Sequence, residues 1–98
     1  MEYVKVPIQP FKCGDTEALY QRRRVARFVN IEAGARRKLD QLDSASEVRD
    51  LASPPGNRLE ILRGPRKGQH SIRINDQWRV CFVWTLHGPR NVEIVDYH

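Results

Sequence analysis

The sequence predicts an α+β domain, two N-terminal helices packed on a four- to five-stranded antiparallel sheet, and three observations carry that expectation. As far as Leu42, apolar residues recur at steps of three and four, which places them on one face of a helix. Beyond the breaker Ser53-Pro54-Pro55-Gly56 the apolar period falls to two, the period of a strand. The period-two segments are joined by turns of a few residues, whereas a parallel crossover needs about a dozen, so neighbours must pair antiparallel.

The elements follow in chain order. Tyr3, Val4, Val6 and Ile8 alternate loosely around Pro7 and Pro10, which reads as a short edge strand. Asp15 and Thr16 are helix starters, and acidic Glu17 suits a first turn, so a short helix is expected over Glu17 to Gln21, with Arg22-Arg23-Arg24 as its end or link. From Phe28, the residues Ile31, Ala35, Leu39 and Leu42 define the buried face of a second helix, with Arg36, Arg37 and Lys38 largely on its other side. Ser44 and Glu47 have capping-box spacing and would open one more turn through Leu51.

Four strands are then expected: Asn57 to Leu62, Gln69 to Ile74, Gln77 to Thr85 and Asn91 to Tyr97. The turns between them are Gly64-Pro65-Arg66-Lys67-Gly68, the tight Asn75-Asp76 pair, and His87-Gly88-Pro89. Alternation gives the sheet one apolar face for the helices, made of Ile72, Ile74, Trp78, Val80, Phe82 and Trp84.

With 98 residues the chain has room for one domain, and 40% hydrophobic residues suffice for its core. A net charge of +5, carried mostly by Arg, favours polyanionic partners: RNA, DNA or an acidic protein. On charge alone, a solvated basic surface explains the excess equally well. Cys13 and Cys81 are far apart and lack zinc-ligand spacing, so two reduced thiols and no metal are expected. No apolar run approaches the roughly 20 residues of a membrane span or makes a signal peptide, which points to the cytoplasm and away from membranes.

The chemistry gathers on the sheet's other face. Arg58, Glu60, Arg73 and Arg79 alternate with apolar neighbours, and the turn between the first two strands adds Arg63, Arg66 and Lys67. Such a basic surface suits a nucleic-acid strand, although charged residues also keep an open sheet soluble. Asp96-Tyr97-His98 adds a carboxylate, a phenol and an imidazole, three groups capable of moving protons. His70 alternates with Ile72 and Ile74 and reads as a core or interface histidine, while His87 falls in a solvated turn.

The stretches Pro54-Pro55-Gly56-Asn57-Arg58-Leu59-Glu60, Gly68 through Phe82 and Val92 through His98 resemble the HigB-type toxins of the RelE/ParE superfamily, and Arg36 through Ala45 fits their helical part. That resemblance implies a RelE-like fold and ribosome-dependent cleavage of messenger RNA, neutralised by a HigA-like helix-turn-helix antitoxin. Operator DNA would be met only indirectly, through the antitoxin. It further implies cofactor-free transesterification by the ribose 2′-OH. Asp96 and His98 would transfer protons or orient each other, Tyr97 would contact the substrate, and Arg73 and Arg79 would stabilise the phosphorane. Arg58, Arg63, Arg66 and Lys67 would bind RNA or the ribosome. Some family members carry a His where this chain has Glu60, which either serves as a base or only pairs with a neighbouring Arg. The competing readings are a ParE-like toxin and a nucleic-acid-binding module, both acting without RNA cleavage.

Overall fold

A computed structural model describes residues 10–96; the expected edge strand over Tyr3 to Ile8 lies outside them, as do Tyr97 and His98. The elements are α1 (Gly14–Tyr20), α2 (Glu32–Ser44), β1 (Glu60–Ile61), β2 (His70–Arg73), β3 (Trp78–Thr85) and β4 (Gly88–Asp96), joined in part by 3-10 turns. The four strands form one antiparallel sheet in the order β1-β2-β3-β4, a meander in which each strand pairs with its successor. The α+β expectation holds, with the helices preceding a four-stranded sheet.

Thr16 does not act as a cap. Helix α1 starts earlier, at Gly14, and the buried Thr16 hydroxyl instead accepts the Ile94 backbone N–H at 3.0 Å, fastening α1 to β4. Arg22 ends this region in a left-handed conformation, φ 68°, while its guanidinium reaches Asp40 at 2.9 and 2.7 Å.

The expected helix from Phe28 begins as a 3-10 turn over Ala26–Ile31 and becomes α-helical only at Glu32. Val25, Phe28 and Ile31 are all buried at steps of three, the period that a 3-10 turn keeps on one side. The later capping box also shifts: Glu47 is the cap and Asp50 its partner, with Asp50 Oδ2 accepting the N–H groups of Ser46 and Glu47, both at 3.0 Å. Ser44 remains in the last turn of α2, its hydroxyl donating to Gln41 O at 3.2 Å.

The first strand is shorter than its alternation suggests because Asn57 is claimed elsewhere. It lies fully buried in a 3-10 turn over Pro55–Asn57, its amide donating to Leu51 O and Gln41 Oε1, both at 3.0 Å, and its oxygen accepting from Lys38. Arg58 then turns left-handed, φ 45°, which keeps the backbone out of the ladder until Glu60. At the other hairpin the turn sits one residue early, and Gly88, φ 99°, already begins β4.

The core lies between the helices and one sheet face, where Leu19, Phe28, Ala35, Leu39 and Leu42 meet Ile72, Val80, Phe82, Val92 and Ile94; Ile74, Trp78 and Trp84 pack against its edge. The free side of β4 is covered by residues 10 to 12, through Asn91 N–H to Pro10 O at 2.8 Å and Lys12 N–H to Val92 O at 3.1 Å. Among the described residues no helix is long and apolar enough to cross a membrane.

Candidate active site

Residues directly opposite each other across an antiparallel pair share a face. The register sets Glu60 opposite Ser71, Ser71 opposite Cys81, and Cys81 opposite Glu93; one row along, Arg73 faces Arg79. All of these lie on the side turned away from the helices. The alternation read from the sequence therefore brings Glu60, Arg73 and Arg79 together, and left-handed Arg58 joins them at the edge. An open cleft of about 200 Å³ results, lined by Arg58, Glu60, Arg73, Asn75, Asp76 and Arg79.

Arg79 forms the cleft's fixed floor. Only 7% exposed, it donates from Nε to Ser71 Oγ at 2.8 Å and from Nη2 to Arg58 O at 2.6 Å. A buried guanidinium demands such partners, and a planar fork held at several points keeps its direction. Glu60 is 49% exposed and 4.0 Å from Arg79 Nη2, the outer limit of an ion pair. At that distance and exposure the attraction contributes at most about 1 kcal/mol, too little to immobilise the carboxylate.

Arg73 is held by Asp76, whose own side chain is almost fully exposed. Asn75 shapes the turn between them: its Oδ1 accepts the N–H groups of Gln77 at 2.9 Å and Trp78 at 2.8 Å. Sequence reasoning read Asn75-Asp76 only as a hairpin turn and missed its place in the cleft wall. The available signal was Asp76 three residues after Arg73, across a turn joining two Arg-bearing strands.

Other expected residues stand apart from the cleft. Arg66 donates to Glu93 Oε1 at 2.9 Å and to Gln69 Oε1 at 3.1 Å, and Lys12 lies 3.8 Å from the same Glu93 oxygen. Beneath this cluster Cys81 is buried, and desolvation raises its thiol pKa. Arg63 and Lys67 are exposed at the two ends of the Gly64–Arg66 turn. Asp96 pairs in register with Trp78, on the helix-packed side at the end of β4, and accepts from Gln77 Nε2 at 3.0 Å. Tyr97 and His98 lie outside the described residues.

His70 is half-buried and stacks on Phe82, centroids 6.0 Å apart, in keeping with a core histidine; its buried Nδ1 has no hydrogen-bond partner among the described residues. His87 is exposed in its turn, and Cys13 and Cys81 are both free thiols.

Residues 11–98 match the family model described as the RelE-like toxin of type II toxin-antitoxin system HigB. Toxin HigB-1 of Vibrio cholerae is 51% identical over 55 residues, covering 56% of this chain and 58% of that protein. An uncharacterized protein of Haemophilus influenzae is 41% identical over 56 residues, covering 57% of this chain and 55% of its own length. The matched stretches thus span a little over half the length of either relative. With a match to the family model over nearly its whole length, on a fold of helices preceding a four-stranded meander, the chain belongs to the HigB-like family of RelE-like toxins of type II toxin-antitoxin systems.

Proposed function

We propose that this toxin is a ribosome-dependent endoribonuclease that cuts messenger RNA and is neutralised by a HigA-like helix-turn-helix antitoxin. The observation that carries the reading is the facing pair Arg73 and Arg79, with Glu60 beside Arg79, in one solvent-open cleft. Two guanidiniums flanking one space suit a phosphodiester, whose charge rises as it becomes a phosphorane. A domain this small has little surface for reading sequence, so the ribosome, which presents RNA already oriented, supplies the positioning.

In this scheme the ribose 2′-oxygen bonds to phosphorus as Glu60 takes its proton, and Arg73 and Arg79 offset the charge on the non-bridging oxygens. The bond to the 5′-oxygen then breaks, and that oxygen takes a proton from His98. The products are a 2′,3′-cyclic phosphate and a 5′-hydroxyl. Tyr97 stacks on or hydrogen-bonds to the substrate, and Arg58, Arg63, Arg66 and Lys67 contact RNA or ribosome nearby. No cofactor takes part, operator DNA is reached only through the antitoxin, and a ribosomal substrate places the protein in the cytoplasm.

The test is to map messenger RNA 5′ ends in reconstituted translation, with and without ribosomes, for the parent and His98→Ala. New cuts that need both ribosomes and His98 support the reading. Unchanged RNA in every arm would sink it and favour a toxin that acts by binding a protein.

A further inference from the structure

The scheme above asks two neighbouring side chains for duties that oppose each other. Glu60 must keep its carboxylate available for a proton, while Arg79 beside it must spend its charge on the phosphate. A guanidinium and a carboxylate in reach of each other readily close into a bidentate pair, and a carboxylate paired in this way is a poor base. Here the two do not close: Arg79 Nη2 stops 4.0 Å from Glu60 Oε1.

The register supplies a reason. Arg73 stands directly opposite Arg79, so Ser71, two residues before Arg73, is a diagonal neighbour on the same face and within reach of a long side chain. On its other side Ser71 stands directly opposite Glu60. In the order of the strands, Ser71 on β2 therefore lies between the acid on β1 and the cation on β3. Arg79 reaches across to it, donating from Nε to Ser71 Oγ at 2.8 Å and from Nη2 to Ser71 O at 3.4 Å, and Nη2 also donates to Arg58 O at 2.6 Å. The edge of the fork formed by Nε and Nη2 is thus engaged by Ser71 and Arg58, and it cannot grip a carboxylate at the same time. Ser71 is itself fully buried and stands outside the cleft lining, so it acts through Arg79 and not on a substrate. A buried guanidinium that loses one partner takes another, and the Glu60 carboxylate is at hand.

We propose that Ser71 is a positioning residue for RNA cleavage, whose hydroxyl holds the Arg79 guanidinium off Glu60 and so keeps a fixed cation and a free base side by side. This rests on the nuclease reading, in which Glu60 takes the 2′-OH proton and Arg79 offsets charge on the phosphorane.

The test follows single-turnover cleavage on limiting programmed ribosomes while the full-length toxin is varied in excess. Lost folded protein raises the half-saturating concentration; a misplaced Arg79 lowers the maximal rate instead. Ser71→Ala is expected to lower the maximal rate about 10-fold or more, with half-saturation unchanged. Ser71→Thr, which keeps the hydroxyl, should restore it, and Ser71→Cys, nearly the size of Ser with a weaker acceptor, should fall between and serves where Ala does not fold. In a Glu60→Gln background, with no carboxylate to capture the guanidinium, Ser71→Ala should cost at most about 3-fold, the mark of coupled residues. Independently of cleavage, the Arg79 Nε–H resonance of the 15N-labelled protein, identified by its absence in Arg79→Lys, should exchange with water about 10-fold faster in Ser71→Ala. A parent-like maximal rate in folded Ser71→Ala, an equal loss in both Glu60 backgrounds, or an unchanged Nε–H exchange overturns the positioning role and leaves the nuclease reading standing. A parent that never cuts RNA on ribosomes sinks that reading and takes the role of Ser71 with it.

Discussion

Arg79 donates through Nη2 to the backbone carbonyl of Arg58 at 2.6 Å, so the buried floor of the cleft is tied to its exposed, left-handed wall. A non-glycine residue with positive φ costs on the order of 1–3 kcal/mol. A hydrogen bond from a charged donor contributes about 1.5–3 kcal/mol, enough to offset that strain. The Arg79 guanidinium thus has a settled position before any substrate arrives, the condition under which fixed charge is most useful to a reaction.

Replacing Arg79 by Lys should expose this dependence. A single ammonium cannot serve Ser71 Oγ and Arg58 O as the planar fork does. Single-turnover cleavage on programmed ribosomes is expected to fall about 100-fold or more. Urea unfolding should show a loss of about 1–3 kcal/mol. Parent-like cleavage by a folded Arg79→Lys protein would remove Arg79 from the chemistry.

Asn57 gives a purely structural prediction. Its fully buried amide serves Leu51 O, Gln41 Oε1 and Ser53 O while its oxygen receives Lys38. Asn57→Ala leaves several of these groups unmet, and urea denaturation should report a loss of about 3 kcal/mol. A loss below about 0.5 kcal/mol would mean that water replaces the amide without cost.

Asp76 competes with any phosphate for Arg73. Asp76→Asn should therefore tighten binding of non-cleavable RNA several-fold at low salt, with the gain fading as salt rises, whereas Arg73→Gln should weaken binding. The carboxylate is 99% exposed, so stability should not change. Equal affinities for the parent and Asp76→Asn would show that the pair imposes no competition.

Cys81 sets a pH dependence. Burial holds its thiol pKa above the ordinary 9.0, so the folded chain keeps a proton that the unfolded chain releases. This contribution is fully present below pH 9.0 and is lost as pH rises through the folded pKa. Urea unfolding from pH 8 to about 10 should show the parent losing stability more steeply than Cys81→Ala. Parallel curves would contradict it. Thiol alkylation of the native protein should modify Cys13 and spare the buried Cys81.

The sheet and its two faces were legible because period-two alternation is a direct consequence of strand geometry: Val80 and Phe82 went to the core and Arg73 and Arg79 to the other face, as read. What escaped was set by side chains acting across the fold. Asn57 looks like the start of a strand in sequence, but its amide finds Leu51 and Gln41 and draws the backbone into a tight turn. Thr16 has the chemistry of a helix cap, yet Ile94, far along the chain, claims its hydroxyl. Arg66 groups in sequence with the cations of its turn, yet Glu93, on a strand not adjacent to that turn, holds it. Local pattern announces elements and faces; it does not announce which polar partner wins.

The meander order also shapes how the chain acquires its structure. Every strand pairs with the one synthesised just before it, so the sheet needs only short loops to close, and closing a short loop is entropically cheap and fast. Arg73 and Arg79 are apposed as soon as one such hairpin forms. The distant tie between Thr16 and Ile94 closes a far longer loop, because it gathers the two halves of the chain around a common core. The pairing that apposes the two arginines thus costs less loop-closure entropy than the tie that fastens the helices behind them.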